Sequence, residues 1–125
     1  MLKSDIKAWN RWRKDNPFVR PNLRETNLKG QNLERANLSG VYFLQADLRG
    51  ANLHQANLSR VNFSKANLSQ TTLRQANLSW AYLNQTNLNG ANLSQAILEG
   101  ASLGNLIYDN KTVWPDHFVP PLEVQ

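Results

Sequence analysis

Proton transfer near neutral pH falls first to histidine, and this chain has two, His54 and His117. Glu34 and Arg74 stand twenty residues before and after His54, so a twenty-residue structural period would align an acid, an imidazole and a guanidinium. Without a concave pocket to exclude water, that trio reads as a surface ladder of opposite charges. His117 follows Asp116 in a proline-rich tail and reads as part of a turn. There is no cysteine, so a thiolate nucleophile, a thiolate metal site and disulfide stapling are all excluded. No clustered carboxylates or histidines have metal-ligand spacing, and no glycine-rich run precedes a lysine and serine. Gly30, Gly50 and Gly90 fall in one twenty-residue series, where they suit corners of positive φ better than a phosphate cradle. No catalytic, cofactor-binding or metal-binding residue is expected, and the chain reads as non-enzymatic.

The frame that would hold these residues repeats every five. From 23 to 103, every fifth residue is Leu or Phe, giving seventeen consecutive units. With that residue as i, position i−2 is small or β-branched in nearly every unit, Pro21 and Gln31 being the exceptions, and position i−1 is Asn in most. Neither a helix nor a strand has a period of five. A stack of coils does, because each unit buries its apolar side chains only against copies of itself. Val41 and Phe43 recur as Val61 and Phe63, and Tyr42 and Tyr82 are forty apart, so four units make one coil. The expected fold is an all-β solenoid of about four coils, about 20 Å long at a spacing of about 4.8 Å. The Asn side chains are expected to stack and to bond turn backbone. They read as structural.

Both ends break the register. Residues 4 to 14 predict a short amphipathic helix, started by Ser4 or Asp5 and stopped by Pro17, with Ile6, Trp9 and Trp12 toward one face. The tail, "NLIYDNKTVWPDHFVPPLEVQ", is apolar and would fold across the last coil, whose open end otherwise invites edge-to-edge association. One structural domain is expected, with a helix and cap over 1–20, repeats over 21–105 and a cap over 106–125. A monomer and an end-to-end dimer are both compatible with it.

Charge is concentrated at the start. Residues 1 to 35 hold nine Lys or Arg and four acids, 9 − 4 = +5, which equals the charge of the whole chain. Such an end attracts anionic surfaces by field alone, and a solvated, solubilising face accounts for it equally well. Trp9 and Trp12 interleave with Arg11, Arg13 and Lys14, making these three cations the candidate anion contacts, although two tryptophans also suit a helix anchor. Trp80 falls at i+2, an outward corner otherwise polar or glycine in this chain. With Tyr82 beside it and Tyr42 and Leu44 two coils away, it marks a candidate protein contact. The opening is too charged for a secretory signal and no stretch is long enough to span a membrane, so a cytoplasmic location is expected.

The "A(N/D)LXX" pattern over residues 21–105 resembles the pentapeptide repeat family, and "AWNRWRKDNP" and "YDNKTVWPDHF" resemble flanks of bacterial, especially cyanobacterial, members. The resemblance implies a right-handed, four-sided β-helix with an N-terminal capping α-helix and a C-terminal capping tail. One branch of the family mimics duplex DNA and binds gyrase. A basic end and a neutral body do not reproduce a duplex carrying one negative charge per about 1.7 Å of axis, which argues against that role here. The expected function is a rigid scaffold for an unidentified protein partner. The alternative is salt-sensitive binding of nucleic acid or another anionic surface through the basic end.

Overall fold

The computed structural model describes residues 2–122. Its one regular element is a helix, α1 (Ile6–Asp15). Asp5 starts it by accepting a hydrogen bond from the Ala8 N–H at 2.9 Å. Asn16 ends it, donating from its side-chain amide to the Trp12 carbonyl at 3.0 Å.

Every unit from the second to the fifteenth buries its Leu or Phe centre, Leu28 through Leu93. Position i+2 then takes a positive φ, 59° at Trp80 and 58° at Arg60. The i−1 side chain supports this turn. In all eleven units with Asn there, its Oδ1 accepts from the backbone N–H two residues on, as Asn62 does from Ser64 at 2.9 Å and Asn77 from Ser79 at 3.0 Å. Asp47 does the same for Arg49.

The expectation of an all-β solenoid, and with it the right-handed quadrilateral β-helix, is corrected here. Among the described residues there is no β-strand and no sheet. Coils meet through single parallel bridges, one per unit, such as Asn22↔Tyr42↔Asn62↔Tyr82↔Ser102. The reason lies in the five-residue unit: two of its residues are spent on the turn, so only i−1 has a bridging partner and no two bridges are consecutive. The fold is a stack of turns, in four columns with a step of twenty residues. Phe43 and Phe63 occupy one column with rings 5.3 Å apart and 14° from parallel.

The first coil has no coil beneath it, and α1 replaces the missing bonds on one side. Between stacked coils, a unit's i−1 N–H donates to its neighbour while its i−1 and i+1 carbonyls accept, as in Asn57 and Ser59. For the unit 36–40 all three are met by helix side chains. Asn37 N–H donates to Asn10 Oδ1 at 2.8 Å, Trp9 Nε1 donates to the Asn37 carbonyl at 2.8 Å, and Arg13 Nη2 donates to the Ser39 carbonyl at 2.5 Å. Buried backbone groups demand such partners.

At the other end the register slips by one, since Asn92 bridges Val113 and not residue 112. The Asp109 side chain absorbs the slip, its Oδ1 accepting from Gly90 N–H at 3.0 Å. Leu106 and Trp114 pack on the core, Tyr108 meets Trp114 edge-to-face and Trp114 stacks on Phe118. Tyr108 Oη donates to the Pro121 carbonyl.

Candidate functional site

The i+2 corner that follows the 37–57–77–97 column carries Gly40, Arg60, Trp80 and Gly100 in order, and Arg20 extends it downward by donating from Nε to the Gly40 carbonyl at 2.9 Å. Two side chains on this corner fold over glycines. Arg20 lies against Gly40, and the Trp80 indole lies on Gly100, where a Cβ would come within 2.5 Å of the ring. Residues 17–20, leaving α1, form a wall facing the corner. Between them runs a groove of about 870 Å³, lined by Phe18, Val19, Arg60, Trp80 and Tyr82 among others. Phe18 is 96% exposed and Trp80 56% exposed, a density of uncovered aromatic surface that marks contact sites.

The structure thus brings together Trp80 and Tyr82 of the four residues expected as a protein contact. Tyr42 and Leu44 are half-buried and do not line the groove. Tyr42 shares the bridge column of Tyr82 but is two coils away. Phe18, Val19, Arg20 and Arg60 were not anticipated. The signal for Phe18 and Val19 is an apolar pair directly after Pro17, where neither helix nor repeat buries it.

Of the three expected anion contacts, Arg13 is corrected. It is 3% exposed, and its guanidinium donates to the Val19 carbonyl at 2.7 Å as well as to Ser39. Burial lowers its pKa from the ordinary guanidinium value, and the two carbonyls occupy the donors an anion would need. Arg11 and Lys14 are exposed. Trp9 is buried and Trp12 packs on the core, their rings 5.5 Å apart, so neither is free to stack on a base.

Glu34, His54 and Arg74 follow the Asn32↔Asn52↔Thr72 bridges but form no ion pair. The ion pairs among the described residues are Arg24–Glu25 and Arg49–Asp47, both exposed and worth little. Hydrogen bonding from Arg49 holds the Asp47 carboxyl below its usual value. Among the described residues no group of His, Asp and Glu is placed to hold a metal ion, and no helix is long and apolar enough to cross a membrane.

A family model described as pentapeptide repeats matches residues 22–60, 36–75 and 76–106, with eight copies of the repeat. No curated protein matches the chain. Among solved structures, it is similar to HetL of the cyanobacterium Nostoc sp. strain PCC 7120, a pentapeptide repeat protein involved in heterocyst differentiation regulation. The identity is 30%, the TM-score 0.72, and the match covers 90% of this chain and 46% of HetL. This chain therefore spans less than half the length of that relative. A pentapeptide repeat protein of the Arabidopsis thaliana thylakoid lumen is 27% identical, with a TM-score of 0.61, over 82% of this chain and 68% of its own. That relative overturns the cytoplasmic expectation, because it is itself a protein of the thylakoid lumen.

Proposed function

From a chain that belongs to the pentapeptide repeat family, a family of non-enzymatic proteins, we propose a scaffold that binds a protein partner through the groove between residues 17–20 and the Trp80 corner. The observation that carries this reading is the uncovered aromatic lining, with Phe18 on one wall and Trp80 and Tyr82 on the other. Stacked repeats keep such side chains at fixed spacing, which reduces the ordering cost of binding. Of the described residues, those before the repeats supply one wall and the repeats the other. The similarity to HetL, a protein involved in regulation, supports a binding role.

The test is affinity capture from extracts of the source organism, with wild type and Trp80→Ala as baits at low and moderate salt. A protein retained by wild type at moderate salt and lost with Trp80→Ala is expected. Identical recoveries from both baits would sink the reading.

A second reading rests on Lys7, Arg11 and Lys14, which share one face of α1 by their i, i+4, i+7 spacing and are exposed, with no ion pair among the described residues. An anionic surface held there would be recovered by both baits and released by salt.

A further inference from the structure

The groove has a chemical polarity that goes beyond its aromatic content. Three guanidinium groups line it, from Arg13, Arg20 and Arg60, and no carboxylate does. Arg13 is committed to backbone carbonyls through both Nη atoms, and its Nε is buried without a partner. Among the described residues the Arg20 Nη groups have no partner, while Nε donates to the Gly40 carbonyl. The Arg60 side chain has no hydrogen bond and no ion pair among the described residues. Of its two corner neighbours, Gly40 carries no side chain and Trp80 lays its indole away from Arg60, toward Gly100. The groove therefore presents a positive field and one uncommitted guanidinium beside an exposed indole. A cleft of one sign focuses that field on whatever enters it.

Resting on the binding role proposed above, we infer that the occupant is an extended acidic segment of a partner protein. One of its carboxylates pairs with Arg60, and an adjacent apolar side chain lies between Trp80 and the Phe18–Val19 wall. Guanidinium and carboxylate match as a two-pronged pair. The length agrees as well. From Gly40 to Gly100 the corner rises three steps of about 4.8 Å, about 14 Å in all, which is four residues of extended chain at about 3.4 Å each. Single-stranded nucleic acid fits less well, since non-specific sites track about four nucleotides or more on successive stacking platforms. Here the rings do not follow one another along one face: an indole and a half-exposed phenol stand on the corner, the Phe18 ring stands on the opposite wall, and that wall includes an aliphatic Val19.

The experiment is selection of a displayed random twelve-residue peptide library on the full chain, with the winners then tested for binding to Trp80→Ala and Arg60→Ala. Winning sequences should pair Asp or Glu with an aromatic or aliphatic neighbour. A synthetic winner should lose about tenfold in affinity with Arg60→Ala, the loss of one charge-assisted contact, and should weaken as salt rises. Thermal melting of both variants verifies that they are folded. Neutral or basic winners that still require Trp80 would overturn the acidic class and leave the groove reading standing. Winners indifferent to Trp80 and Arg60, or no winners, would overturn both. A twelve-nucleotide oligothymidylate that binds and is lost with Trp80→Ala would replace the peptide class with nucleic acid.

Discussion

Trp80 lays its indole on Gly100, one coil further along the same corner, so closely that a methyl group on Gly100 would fall 2.5 Å from two ring atoms. Gly50 has nearly the same backbone, φ +68° against +73°, yet nothing lies within 4 Å of its Cβ direction. Alanine at either site incurs about 1 kcal/mol of left-handed strain. Only Gly100→Ala must also move the indole. The Trp80 Nε1–H resonance should shift in Gly100→Ala and stay in place in Gly50→Ala, and partner binding should follow the resonance.

Arg13 and Lys14 are adjacent in sequence and opposite in role. Arg13→Ala leaves the Ser39 and Val19 carbonyls without their donor in a buried site, a loss of about 2–4 kcal/mol. Lys14→Ala removes a solvated cation and should change stability by no more than about 0.5 kcal/mol. Urea unfolding of the two variants measures the contrast. Equal effects would contradict the assignment of Arg13 as a replacement for a missing coil.

Inside the stack, Phe63→Ala empties half of the Phe43–Phe63 pair in a fully closed interior. The expected cost is about 3–5 kcal/mol. Asn62→Ala, in the same unit, loses a single bond to Ser64 N–H and should cost about 1 kcal/mol. Denaturant midpoints rank the two.

Burial raises the Asp109 pKa, but its hydrogen bonds from Gly90, Lys111 and Thr112 outweigh this and hold it below the ordinary carboxylate value. A folded-state pKa below the unfolded one contributes stability above the unfolded value, about 3.9, and that contribution fades as pH falls through the folded value. Asp109→Asn has no such titration. Wild type should therefore melt above Asp109→Asn at pH 7, and the gap should close as pH is lowered below about 4. A gap that widens in acid would contradict this.

The repeat, its twenty-residue step and the Phe43–Phe63 stack are legible in sequence because like residues must meet like when identical units stack. Strand content was overestimated, since an apolar period says which residues face inward but not how many backbone groups bridge before the next turn. Arg13 was misread on the strength of its charge. Its spacing from Trp9, i to i+4, already places it on the buried face of α1. Trp80 was legible as an outward corner residue, whereas its partners were not: the wall at 17–20 arrives from outside the repeat, and no period predicts where a non-repeating segment crosses the stack. Tyr42 and Leu44 share a side of the stack with Tyr82, yet the groove follows the corner and not that side.

Whether a protein partner seats in this groove can be read by photo-cross-linking in extracts of the source organism. A photoreactive phenylalanine analogue replaces Phe18, Arg35 or Gln70, three exposed residues of which only Phe18 lines the groove. A protein adduct is expected from position 18, absent when Trp80→Ala is added, and none from positions 35 or 70. No adduct at 18, adducts at 35 or 70 that match those at 18, or an adduct at 18 indifferent to Trp80→Ala would contradict the groove as the contact site.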